Sequence, residues 1–251
     1  MTPDPNSNFR SSPLRKSRIV VFFMGLIVGV FLTLFVPYLR QLRVDLLQKA
    51  CASNMKHILL ALHSYHEQYG SFPPAYTIDT EGKKLQSWRV LILPYLGEEE
   101  LYRQIRLDEP WDSDHNKRFQ VQMPEIFYCF ADRSKRKRGE TSYVWITGQG
   151  FISDGTSCTK ISDITDGTSS TLMLTETLDP ILWMSPEDHS FEQYWSDTMA
   201  TSPSRSKKIS SNHLVANVGS ADGGVYGWRD HGLFFLKSVL TIAGGETLVC
   251  P

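Results

Sequence analysis

The hydrophobic pattern at the start of the chain changes character once. Residues 19–36 are 18 uncharged positions in succession, with Thr33 the one polar side chain and Gly25 and Gly29 the other interruptions. At about 1.5 Å per residue a helix of this length reaches about 27 Å, close to the roughly 30 Å of a bilayer core. Tyr38 and Leu39 extend it, and a helix is the one conformation in which a single segment satisfies its own backbone in lipid. Beyond residue 40 the pattern becomes one-sided. Leu47, Cys51, Met55, Ile58, Leu62 and Tyr65 recur at steps of four, four, three, four and three, while Arg43, Gln48, Lys49, Lys56 and Glu67 take the other sides. That spacing predicts one helical face. Pro37 is a position for a kink, and Gly70, with Pro73 and Pro74 beyond it, predicts the stop. The expectation is one helix of about 50 residues, half for lipid and half with an apolar stripe that needs a covering surface.

After Gly70 the periodicity shortens. Residues 88–105 keep a helical spacing that breaks near Pro94 and Gly97. From residue 124 onward, short β-branched and aromatic runs alternate with Asp-Gly, Gly-x-Gly and Ser-Thr clusters. These predict antiparallel strands at 125–129, 141–147, 170–177, 213–220, 224–229 and 233–236, then a short terminal helix at 235–243. Asp222-Gly223 lies between two of the strands and predicts a hairpin turn, because glycine accepts positive φ. The fold class expected is α+β: a long N-terminal transmembrane-plus-amphipathic helix packed on an antiparallel β-sheet, in the manner of pilins.

Charge changes the picture by its distribution. The 251 residues carry 26 basic and 27 acidic side chains and are 41% hydrophobic, which excludes a disordered tail, a collagen-like fibre and a uniformly basic nucleic-acid binder. Yet residues 1–18 hold Arg10, Arg15, Lys16 and Arg18 against Asp4 alone. The excess of positive charge before the apolar run predicts a cytoplasmic N-terminus at 1–18, a membrane helix at 19–39 and an exported domain at 40–251. The run is longer than the apolar part of a signal peptide and no small-x-small site follows it, so a retained anchor is expected. Gly25 and Gly29 form a Gly-x-x-x-Gly pair, a possible face for self-association within the membrane.

Several segments together carry a resemblance. Leu62-His63-Ser64-Tyr65-His66 is followed by Tyr69-Gly70-Ser71-Phe72-Pro73-Pro74, then by Ser87-Trp88-Arg89-Val90 running on to Pro94, then by Pro110-Trp111-Asp112-Ser113. Ile126-Phe127-Tyr128-Cys129, Asp166-Gly167-Thr168 and His213 before Asp222-Gly223 come next in order, and Gly244 and Gly245 close the series. Over roughly residues 45–248 the chain resembles a bacterial family of unknown function, domain of unknown function 1559, whose members look like pseudopilins. The resemblance implies a prepilin-like first helix, an inner-membrane location with a periplasmic domain, and a role near type II secretion-like assemblies. Many members carry an acidic residue entering the apolar helix; here none occurs between Asp4 and Asp45, which points to a stand-alone or accessory relative. The family-like positions of Cys51 and Cys129 imply a disulfide between them; the extra Cys158 and Cys250 are expected to pair as well, the alternatives being that Cys250 stays free or joins two subunits.

Candidate chemistry is sparse. His63 and His66 stand at i, i+3 on one helix but lack further ligands at zinc spacing. Asp112, Asp114, Asp163 and Asp166, with oxygens from Asn116, Asp154 and Asp222, would serve a structural calcium if their loops converged; otherwise they hold turns. His213, Asp222 and a serine could be drawn as a triad, but no Gly-x-Ser-x-Gly elbow is present, and no catalytic residue or organic cofactor is expected. Arg133, Lys135, Arg136, Lys137 and Arg138 form a basic loop that suits polyanions or simply solvent. The function expected is a non-catalytic, single-pass envelope protein with a structural, secretion or surface-assembly role, whose partners are the lipid bilayer and other envelope proteins but not nucleic acid. The alternatives are a membrane-tethered module binding a solute, glycan or ion, and, further off, an envelope hydrolase.

Overall fold

Helix α1 (Pro13–Tyr69) accounts for 57 residues of the computed structural model, which describes residues 13–130, 138–192, 215–228 and 239–243. Pro37 lies inside α1 without ending it. The chain divides into two compact units, residues up to Val44 and residues from Asp45 onward. In the first unit Phe22, Ile27, Phe31 and Leu34 are exposed, and the helix is long and apolar enough to cross a membrane.

Within the second unit the expected stripe is covered. Cys51, Met55, Ile58 and Leu62 are wholly buried, and Leu59 and Ala61 widen the face beyond the periodic set. Each large apolar side chain removed from water contributes about 1.5–3 kcal/mol, so this face holds the helix far more firmly than helix propensity does. Gly70 ends α1 as expected: its φ of 76° is left-handed, and its N–H donates to the His66 carbonyl at 2.8 Å.

The cover comes from an antiparallel sheet of β3 (Glu140–Val144), β5 (Leu172–Leu182), β7 (Ala216–Ser220) and β8 (Val225–Trp228), in that order. Gly219 on β7 sets how closely the helix lies. A Cβ there would stand 2.7 Å from Leu59 Cδ1, so only glycine admits the Leu59 side chain at that point. The hairpin expected at Asp222-Gly223 joins β7 to β8: Gly223 has φ 82°, Gly224 N–H donates to Asp222 Oδ1 at 2.8 Å, and the Ser220 hydroxyl donates to the same oxygen.

The segment between helix and sheet is made of short pieces. β1 (Tyr76–Ile78) pairs with β2 (Lys84–Ser87), an antiparallel hairpin the pattern does not signal. The helical stretch at 88–105 breaks where expected. It gives α2 (Trp88–Leu91), a 3-10 turn at Leu93–Leu96 with Pro94 in its first turn, and α3 (Glu99–Gln104), with Gly97 at φ 78° between the last two. Trp88 and Trp145 stack at 4.9 Å in the main core, and Phe127 and Trp183 stack beside them at 6.0 Å.

Two expectations are corrected. Residues 125–129 do not form a strand: after Pro124 the chain takes a 3-10 turn at Glu125–Phe127, and its apolar side chains are buried by ring packing of Phe127 on Trp88 and Trp183 rather than by sheet pairing. The run at 141–147 is two strands, and the second, β4 (Ile146–Thr147), pairs in parallel with β6 (His189–Ser190). Of the terminal helix expected at 235–243, residues 239–243 are described: Val239 and Leu240 are helical, and Thr241 then bridges antiparallel to Phe151. The strand at 233–236 lies outside the described residues.

Candidate functional site

The strongest electrostatic feature is a sealed ion pair. Arg89 and Asp188 have side chains 0% and 1% exposed, with Nη2 to Oδ1 at 2.5 Å and Nη1 to Oδ2 at 3.4 Å. Both groups make further hydrogen bonds. Asp188 accepts from the Trp145 N–H and the Trp88 indole N–H, each at 2.9 Å, while Arg89 donates from Nε and Nη2 to the Tyr143 carbonyl at 3.2 and 3.1 Å. Burial pushes the Asp188 carboxyl above the usual carboxylate range and Arg89 below its own, with each partner pulling the other back. Neighbouring Ser87 donates to the Trp183 carbonyl at 3.1 Å. The Ser87-Trp88-Arg89 motif thus fastens α2 to three segments distant in sequence. Nothing in the local spacing announces Asp188; a lone acid 99 residues from its partner carries no periodic signal.

Other family motifs meet at one end of the sheet. Gly167 of Asp166-Gly167 has φ 95° and its carbonyl accepts from Ser170 N–H at 3.0 Å. Thr168 and Thr171 carbonyls accept from Asp222 and Ala221 N–H, so the 167–171 loop braces the β7–β8 turn. Helix α1 reaches the same turn: the Lys56 ammonium donates to the Gly223 carbonyl, and the His63 ring lies where a Gly223 Cβ would stand 3.8 Å away. His63 Nε2 is buried without a hydrogen bond of good geometry, and burial holds its pKa below the ordinary imidazole value although the Ala221 backbone pulls upward. The Ser220 hydroxyl and the Gly224 N–H hold the Asp222 carboxyl below its usual range. His213 of this motif lies outside the described residues, as do Gly244 and Gly245.

The proline motif has a plain backbone rationale. Phe72 and Ala75 N–H donate to the Thr159 and Gly155 carbonyls at 2.8 and 2.9 Å, and Pro73 and Pro74 sit between them where no donor is called for. His66 Nε2 accepts from Ile161 N–H at 3.2 Å, and both His63 and His66 pack on Phe72, at 5.4 and 4.9 Å. Trp111 N–H donates to Leu85 O, pinning the Pro110-Trp111 segment to β2.

Cys51 and Cys129 form a disulfide, with Cα atoms 5.3 Å apart and a sequence separation of 78. Around it lies a buried polar cluster. Glu176 on β5 accepts from Asn217 N–H at 2.7 Å and Asn217 Nδ2 at 3.2 Å, and the Tyr143 hydroxyl donates to the Cys51 carbonyl at 3.1 Å. Cys158 is an exposed thiol, and Cys250 lies outside the described residues.

The calcium candidates do not gather. Asp114 is spent on Lys117 and Asp112 is exposed two residues before it, while Asp163 caps the Lys160 N–H and Asp166 accepts from the Thr241 hydroxyl. Buried Asn116 staples the 106–116 loop through the Arg106 and Pro110 carbonyls. Of the basic run, Arg138 is described and is bound to Glu140; the rest lies outside the described residues. A polar cleft of about 390 Å³ does open in the second unit. Asp154, Glu187 and Glu192 line it with Lys84 as counter-charge, the last paired with Glu187 at 3.0 Å and lying over the Tyr76 ring.

The family described as protein of unknown function DUF1559 matches residues 48–233, and the chain belongs to it. That span begins inside α1 and includes the ion pair, the disulfide, the cleft and the β7–β8 turn. No curated protein and no solved structure matches the chain.

Proposed function

We propose that this DUF1559 protein is a single-pass, non-catalytic, pseudopilin-like component of the cell envelope, with its N-terminus in the cytoplasm and the domain from residue 40 onward in the periplasm. Its role is structural or assembly-related, in secretion or at the surface, and its partners are the inner-membrane bilayer and other envelope proteins. The supporting observation is helix α1, apolar and exposed in its first part and buried along one face under an antiparallel sheet in its second. Three of the carboxylates described are occupied in structural bonds: Asp188 with Arg89, Asp222 in its turn, Glu176 with Asn217. The full-length protein purified in mild detergent is expected to bring down envelope proteins in fixed ratio. Recovery of the chain alone, together with turnover of an ester or glycan substrate, contradicts the reading.

A second reading, a membrane-tethered binding module, is favoured by the acid-rich cleft beside Lys84. Its excess of carboxylates suits a cation or a cationic solute. A thermal-shift screen of the full-length protein separates the two: stabilisation by one cationic solute, abolished by Glu187→Gln with Glu192→Gln, supports the module.

A further inference from the structure

We infer that Cys51, Cys129 and Glu176 form a redox-gated site for a soft divalent metal ion, closed while the cysteines are joined and open once they are reduced. The two sulfurs and a Glu176 carboxylate oxygen lie within 4.8 Å of one another, and all three side chains are buried. A tetrahedral zinc ion with Zn–S of about 2.3 Å and Zn–O of about 2.0–2.2 Å holds its ligand atoms roughly 3.5–3.8 Å apart. Separating the two sulfurs by that amount keeps the set within its present compass.

The chemistry suits a thiophilic ion better than calcium. Two thiolates and one carboxylate are a zinc-type set. The carboxylate is already oriented: Asn217 N–H holds Oε2 at 2.7 Å and Asn217 Nδ2 holds Oε1 at 3.2 Å, the kind of outer bonding that fixes a metal-ligating carboxylate. The three ligands come from α1, the loop after the 3-10 turn at Glu125–Phe127 and β5, so an ion here ties the two segments that the disulfide ties and adds β5. The two states exclude each other. A phosphine reductant cleaves the S–S bond, takes oxygen from water to become the phosphine oxide, and leaves two thiols. The thiols then release two protons as their sulfurs bind the divalent ion. Oxidation of the bound thiolates by a disulfide oxidant re-forms the bond, expels the ion and leaves the oxidant as two thiolates, which take up two protons from water.

The test uses full-length protein in detergent carrying Cys158→Ser and Cys250→Ser, so that only two cysteines remain, with Co²⁺ as probe. After phosphine reduction and desalting, one Co²⁺ per chain is expected, with thiolate-to-cobalt charge transfer and the intense visible bands of a tetrahedral site. The oxidised protein is expected to bind none. Glu176→Gln is expected to weaken binding at least tenfold while its oxidised form melts as a folded protein. Absence of stoichiometric cobalt in the reduced protein, equal binding by the oxidised protein, or unchanged affinity in Glu176→Gln overturns the inference. If reduction loosens the fold, the melt of the reduced protein gives a second readout: Zn²⁺ raises it when the site exists and leaves it unmoved when it does not.

Discussion

Arg89 on α2 and Asp188, just before β6, face each other at 2.5 Å with water excluded from both. Removing one partner leaves a buried charge with no counter-ion, the costly case. Arg89→Met or Asp188→Leu alone is expected to lower stability by about 3–5 kcal/mol, whereas the double change Arg89→Met with Asp188→Leu costs far less than the sum. Denaturant melts of the four proteins read this directly, and additive single and double effects contradict it.

The disulfide closes a long loop between α1 and the segment before residue 130. Reduction, or Cys51→Ser with Cys129→Ser in metal-free buffer, is expected to cost about 2–4 kcal/mol. The same denaturant melt with and without reductant measures it, and coincident curves contradict it.

Gly219 marks the closest approach of sheet to helix. Gly219→Ala drives a methyl into Leu59, with an expected loss of about 1–3 kcal/mol, and Leu59→Ala in that background recovers part of it. A variant as stable as the parent refutes the close contact.

Acid sensitivity follows from two groups at the β7–β8 turn. His63 has a folded pKa below its ordinary 6.5, so as pH falls through 6.5 the unfolded chain takes up a proton that the folded chain resists, and stability declines. Asp222 has a folded pKa below its ordinary 3.8; its contribution is present above that value and is lost as pH falls through the lower folded one. Melting temperature is expected to fall on acidification from about pH 7.5 to about pH 5, with His63→Gln flattening that stage. Identical profiles for parent and variant contradict the assignment.

Sequence pattern reached those parts of the fold where the determinant is local. The face at Cys51, Met55, Ile58 and Leu62, the stop at Gly70, the breaks at Pro94 and Gly97 and the turn at Asp222-Gly223 each follow from spacing or backbone freedom, and each is present. The strand expected at 125–129 failed because β-branched and aromatic content reports burial, and Phe127 is buried by rings instead of a ladder. Leu59 was missed because it sits one step off the periodic face and is admitted only by Gly219. Asp188 and Glu176 were missed for a different reason: their partners Arg89 and Asn217 lie 99 and 41 residues away, and nothing adjacent in sequence marks either acid as buried. The acids that did stand out, Asp112, Asp114 and Asp163, are turn and surface residues.

The central claim, an N-terminal anchor that carries the DUF1559 domain across a membrane, is tested most directly by protease protection. Full-length chain in sealed, inside-out membrane vesicles is treated from the cytoplasmic face. Trimming confined to residues 1–18, with the segment from residue 40 onward intact until detergent is added, is the predicted result. Digestion of the C-terminal domain in intact vesicles contradicts the account.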